Sequence, residues 1–176
     1  MPEVAIVLGS DSDLPKIREC FTLLEEFGVS FEVVVSSAHR SPDRTKEWAR
    51  SLGERGVRVV IAAAGGAAHL PGVVASYTTL PVIGVPIETA IAGGLDSVLS
   101  IIQMPSGIPV AAMPAGKAGG ANAALFAIQI LAVGEARYGE KLRAYREEMA
   151  RAIEEKNNML QKMGHSDYIK SREVKA

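Results

Sequence analysis

Apolar residues along this chain gather in short unbroken runs, each followed by a small-residue loop and then by a stretch where they recur every three or four positions. Val4-Ala5-Ile6-Val7-Leu8 is the first such run. Its lack of polar alternation predicts a strand buried on both faces, as in a parallel sheet. Gly9-Ser10-Asp11-Ser12-Asp13 ends it, and Pro15 fits the first turn of a helix with Ser12 or Asp13 as N-cap. Ile17, Cys20, Phe21, Leu24 and Phe27 mark one helical face, and Gly28 closes the helix. The same cycle then recurs. A second strand is expected at 31–35, followed by a helix capped by Ser41, with Pro42 at its first position, whose buried side carries Trp48, Ala49 and Leu52. Further strands are expected at 57–64, 81–86 and 110–113, with helices at 95–104 and, in an alanine-rich run, 121–133. Five strands alternating with helices predict an α/β fold: a three-layer, doubly wound five-stranded parallel sheet, flavodoxin- or Rossmann-like, with right-handed crossovers.

From Glu135 the pattern changes. Leu142, Tyr145, Met149, Ile153, Leu160 and Met163 trace a helical stripe among abundant charges, so residues 135–176 read as a long amphipathic helix and tail. They are assigned to the same domain as the α/β unit, residues 1–134, because 176 residues suit one domain better than two. The alanine-rich helix shows few polar residues on any face, which marks a buried helix. Together with the C-terminal stripe it suggests packing against another subunit.

Composition narrows the partners. No apolar run approaches the roughly 20 residues that span a bilayer, and Met1-Pro2-Glu3 leads straight into Val4 with no basic and hydrophobic leader; a cytoplasmic protein without membrane contact is expected. A net charge of −1, with Lys and Arg matched by Asp and Glu, carries no nucleic-acid signature. The single cysteine, Cys20, rules out an internal disulfide or a thiolate metal cluster, and its place between Ile17 and Leu24 makes it a core residue rather than a nucleophile. No His or Cys pair has metal-ligand spacing, so no metal is expected.

The candidate chemistry lies in the loops that follow the first three strands, at the carboxyl edge where open α/β sheets bind ligands. Ser36-Ser37-Ala38-His39-Arg40-Ser41-Pro42 joins an imidazole, which exchanges protons near neutral pH, to a guanidinium matched to phosphate. Gly9-Ser10-Asp11-Ser12-Asp13 offers hydroxyls and backbone N–H groups for an anion, but lacks the glycine spacing and Lys-Ser/Thr ending of a Walker loop. Asp11 and Asp13 suit either helix capping or sugar hydroxyls. Gly65-Gly66-Ala67-Ala68-His69-Leu70-Pro71-Gly72 lets backbone approach a ligand closely, with His69 its one polar side chain. His165 sits in the polar tail, where solvent exposure is expected.

These loops, with Asp96-Ser97 and Gln103-Met104-Pro105, resemble the signatures of the N5-carboxyaminoimidazole ribonucleotide mutase family of purine biosynthesis, in order along the chain. Ser41 stands where that family usually has threonine, and Met113-Pro114-Ala115 replaces a more usual alanine-isoleucine-glycine run. The resemblance implies an isomerase that moves a carboxylate from the exocyclic nitrogen of the aminoimidazole nucleotide to a ring carbon, without ATP, metal or organic cofactor. It further implies His39 as the proton shuttle, Ser10, Ser12, Ser37 and Arg40 around the phosphate, and Asp13 on the ribose. Ala38, Gly65, Ala68, His69 and Leu70 would line the base and carbon dioxide pocket. A homo-octamer with active sites near subunit boundaries is implied as well. Two other readings stay open: a carboxylase adding free carbon dioxide to the uncarboxylated nucleotide, and a phosphosugar-binding module without catalysis. The first fits less well because that branch resembles this chain less in the Ala-Ala-His-Leu-Pro loop. The second gives His39 and His69 no task.

Overall fold

In a computed structural model, which describes residues 1–173, the chain forms a compact unit, Met1–Glu135, and a second one that begins at Ala136. The first unit is built on five strands: β1 (Val4–Leu8), β2 (Phe31–Val35), β3 (Val59–Gly65), β4 (Val82–Ile87) and β5 (Ala111–Ala112). All pairings are parallel, in the order β2-β1-β3-β4-β5. Every residue of β1 is buried, as its unbroken apolar run requires. The chain leaves the centre in both directions, with β2 on one side of β1 and β3 on the other. Such a reversal opens a crevice beyond the carboxyl ends of β1 and β3.

A 3-10 helix, Asp11–Ile17, leads into α1 (Arg18–Phe27). The expected cap is corrected here: the N-cap is Ser10, not Ser12 or Asp13, and its side chain accepts the Ser12 N–H. Pro15 likewise sits inside the 3-10 helix, as its fifth residue, rather than in the first helical turn, and the α-helix proper begins only at Arg18. Of the expected α1 face, Cys20, Leu24 and Phe27 are buried; Phe21 is only half-buried, Ile17 is buried at the end of the 3-10 helix, and Leu23 is buried in addition. Burial pushes the Cys20 thiol up to about 12, which keeps it protonated and inert.

The remaining helices of this unit are α2 (Pro42–Ser51), α3 (Leu70–Ala75), α4 (Leu95–Ile102) and α5 (Lys117–Ala132). On one side of the sheet α2, α3 and α4 pack over a cluster that includes Ala5, Ala49, Leu52, Ala62, Val74 and Ile101. On the other side α1 packs on α5. The alanine-rich helix starts at Lys117 rather than 121, which puts Gly119 and Gly120 inside its first turns. Both sit in close contact: a Cβ on Gly120 would lie a tight 3.1 Å from the Cα of Ile17, and one on Gly119 would collide with the Pro114 carbonyl oxygen. Ala123, Ala124, Ala127, Ile128 and Leu131 are buried, while Leu125, Phe126 and Ile130 on the same helix stay half-buried.

Three further boundaries moved. Val57, read as the start of β3, instead donates its N–H to the Leu52 carbonyl and closes the preceding helix. The 65–72 stretch, expected from sequence to be loop, contains the start of α3, with Pro71 at a first-turn position that needs no N–H donor. In the second unit, α6 (Ala136–Met163) is the long helix foreseen, closed by Gly164 in left-handed geometry. The tail that holds His165 is itself helical, α7 (His165–Glu173), and His165 is exposed. Among the described residues no helix is long and apolar enough to cross a membrane.

Candidate active site

A cavity of about 430 Å³ opens at the carboxyl edge of the sheet, walled by the segments after β1, β2, β3 and β4. Its volume falls in the range of small-molecule sites. Ser10, Asp13, Ser37, Ala38, His39, Arg40, Gly65, Ala68, His69 and Leu70 all line it. Ser12 does not; it stands behind Ser10, with the two hydroxyls 2.8 Å apart.

The loop after β2 is held by its own hydroxyls. Ser41 Oγ donates to the Ser37 carbonyl and accepts the Ser37 N–H, both at 3.1 Å. Below it, Ser36 and Thr45 share a buried hydroxyl pair at 2.8 Å. Ser41 precedes α2 without capping it, so serine in place of threonine still supplies the hydroxyl that closes this loop. Arg40 reaches across to the β1 loop, where Nη2 donates to the Gly9 carbonyl at 2.9 Å and Nε meets Ser37 Oγ at 3.4 Å. Two glycine- and serine-rich loops are thereby tied by one guanidinium.

The imidazoles of His39 and His69, 30 positions apart in sequence, stack with ring centroids 5.3 Å apart and planes 28° from parallel. His39 comes from the β2 loop, and His69 is the residue that leads into α3. Asp13 also lines the cavity, where burial raises its carboxyl above the ordinary aspartate value, against the pull of Lys16. Lys16 Nζ lies 3.7 Å from Asp13 Oδ1 and donates to the Glu88 carbonyl at 3.3 Å. The pocket thus has a cationic and hydroxyl-bearing end at Arg40, Ser37 and Ser10, a carboxylate at Asp13, and a nearly bare wall of Ala64, Gly65 and Ala68.

Sequence reasoning missed Lys16, Glu88 and Thr89, all in the cavity wall. A signal for the last two was present. They follow a buried strand, β4, which lies beside β3, so the rule that selected the first three loops applies equally to theirs. Among the described residues, no group of three or more His, Cys, Asp or Glu side chains could hold a metal ion.

The geometry can now be set beside known proteins. The family model described as AIR carboxylase matches residues 3–152. The N5-carboxyaminoimidazole ribonucleotide mutase of Pyrococcus horikoshii is 54% identical over 96% of this chain and 94% of its own length. That of Thermotoga maritima is 48% identical over 98% of this chain and 100% of its own. The crystal structure of Treponema denticola PurE superposes with a TM-score of 0.83 at 26% identity, covering 91% of this chain and 99% of that one. A match across most of the α/β unit, with relatives this similar over nearly the whole chain, settles descent: the chain belongs to the AIR carboxylase family.

Proposed function

We propose that the protein is an N5-carboxyaminoimidazole ribonucleotide mutase of purine biosynthesis, an isomerase working in the cytoplasm. The observation that carries the mechanism is the His39–His69 stack, set between the Arg40 and Ser37 end of the cavity and its Gly/Ala wall. The net reaction moves one carboxylate from the exocyclic nitrogen to a ring carbon, and one proton the other way. His39 takes the proton from the ring carbon and returns it to nitrogen. In the first step the N–C bond breaks, releasing carbon dioxide, and His39 gives a proton to the nitrogen. In the second the ring carbon attacks that carbon dioxide and surrenders its proton to His39.

Arg40, Ser37 and Ser10 hold the phosphate, with Ser12 orienting the Ser10 hydroxyl. Asp13 accepts hydrogen bonds from the ribose hydroxyls. Ala38, Gly65, Ala68, His69 and Leu70 enclose the base and the carbon dioxide. A wall without polar side chains offers water few partners, which suits retention of a reactive small molecule. No energy input is required, because positioning carries the reaction.

We also propose a homo-octamer. Leu95, Leu99 and Ile102 follow one another along the exposed side of α4 at 45–49% exposure, and Met149 and Ile153 are exposed on α6. Apolar rows of this kind suit subunit contact. The experiment that tests the function supplies purified protein with the N-carboxylated nucleotide without bicarbonate, or with the uncarboxylated nucleotide plus bicarbonate. Efficient carbon-carboxylated product in the first arm is expected. Product in the second arm alone selects the direct carboxylase, and product in neither leaves only a binding module.

A further inference from the structure

The Gly/Ala wall of the cavity has no side chains with which to hold itself in place, yet its entry is fixed by residues about 30 positions downstream. Gly66 is in left-handed geometry, φ +67°, a conformation open to glycine at little cost. Its N–H donates to Ser97 Oγ at 2.9 Å. The same hydroxyl donates to the Ile87 carbonyl at 2.8 Å, at the end of β4. Ser97 is completely buried in the first turn of α4. One turn on, Ser100 Oγ donates to the Asp96 carbonyl at 2.8 Å and lies 3.3 Å from the Gly66 carbonyl. Thr89 Oγ1, on the β4 loop, donates to Asp96 Oδ1 at 2.6 Å. The start of α4 therefore holds Gly66 chiefly by its N–H and ties it to the neighbouring wall segment.

We propose that Ser97 is a positioning residue for the active site, acting through the Gly66 N–H. By fixing that peptide it sets the path of residues 65–69, and with it the distance of the bare wall from the stacked imidazoles. The proposal rests on the mutase reading, in which this wall retains carbon dioxide between the two steps. Without the Ser97 hydroxyl the wall loosens and the intermediate escapes. The N–C bond still breaks, the nitrogen takes up a proton, and the uncarboxylated nucleotide leaves in place of product.

The test compares the full-length protein with Ser97→Ala, Ser97→Thr and Ser100→Ala. Four quantities are followed: kcat, the dissociation constant of the carbon-carboxylated nucleotide, Tm, and the share of substrate released uncarboxylated. Ser97 touches none of Ser10, Ser37 and Arg40, so in Ser97→Ala nucleotide affinity should stay close to wild type. Its kcat should fall about 10- to 100-fold, the scale of a small misplacement within a site, and its uncarboxylated share should rise. Ser97→Thr keeps the hydroxyl and should recover part of both. Ser100→Ala, at an exposed position, should shift the partition less, in the same direction. Wild-type kcat and partition in Ser97→Ala overturn the proposal, as does a loss of affinity that matches the loss of kcat. Should Ser97→Ala fail to fold, an unchanged partition in Ser100→Ala overturns it. A wild-type protein inactive on both nucleotides removes the mutase reading itself, an outcome distinct from failure of the Ser97 variant alone.

Discussion

Replacing Arg40 by alanine separates the two tasks the structure gives this side chain. Nη2 is committed to the Gly9 carbonyl at 2.9 Å and Nε approaches Ser37 Oγ at 3.4 Å, which turns the guanidinium into a strut between the β1 and β2 loops as well as a cation at one end of the cavity. The strut lies at the surface. Its loss should cost about 0.5 to 1.5 kcal/mol of stability, as for an ordinary hydrogen bond, or a few degrees in Tm for a chain of this size. The charge contributes elsewhere. A hydrogen bond to a charged group is worth about 1.5 to 3 kcal/mol, so the variant should bind the product nucleotide roughly 10- to 150-fold more weakly. Turnover at saturation should change less, because the phosphate is remote from the reacting carbon. Arg40→Lys sharpens the test, since a single ammonium keeps the charge but cannot serve the Gly9 carbonyl and an anion with one planar fork. It should recover part of the affinity and little of the Tm. Titration calorimetry with the product nucleotide, beside thermal unfolding, reads both effects. A dissociation constant within about twofold of wild type in Arg40→Ala, when a charged contact predicts at least tenfold, would refute the phosphate assignment.

His39→Asn keeps polarity and approximate size but cannot carry a proton, so kcat should drop by at least about 10² to 10⁴ while nucleotide affinity holds; activity within a few-fold of wild type in a product-formation assay removes His39 from the mechanism. Glu32 on β2 accepts two bonds from Arg55, at 2.5 and 2.8 Å, and one from Trp48 Nε1 at 3.0 Å. The Arg55 bonds foremost hold its carboxyl below the ordinary glutamate value of 4.5, despite burial. A depressed folded-state pKa gives stability that is complete above the unfolded value and lost as pH falls through the folded one. Glu32→Gln should therefore be about 1 to 2 kcal/mol less stable than wild type at neutral pH, with the gap closing under acid titration below about pH 4.5; a gap that widens in acid contradicts the sign. Light scattering should give a mass near eight times the 18.6 kDa chain, and a mass equal to one chain refutes the assembly.

The elements legible in the sequence were those whose apolar pattern is dictated by two-sided burial or by one helical face. The run from Val4 to Leu8 fits a strand buried on both faces, and it is one. The pattern failed where an apolar residue serves a turn or a short contact. Val57 is buried to close a helix. The short helix α3 hides behind Pro71 and Gly72, which read as turn residues although proline at a first-turn position is compatible with a helix. In the site, the loops after β1, β2 and β3 announced themselves through His, Arg, Ser and Gly clusters. The β4 segment did not, because Glu88 and Thr89 form no motif of their own and matter through the strand order that sets β4 beside β3.

Ser97 shows why part of a site like this escapes local reading. A pocket wall stripped of polar side chains must leave its backbone N–H and carbonyl groups to be satisfied by something outside the wall. In this chain that something is a buried hydroxyl 31 positions away, placed by the crossover from β4 into α4. The barer the wall becomes in order to exclude water, the more its geometry depends on residues that never touch the ligand. An inert Gly/Ala segment beside a pair of imidazoles is therefore a reason to look for its support on the next helix of the fold, where Asp96-Ser97 stands out in the sequence through the family resemblance but shows its task only once the crossover brings it to Gly66.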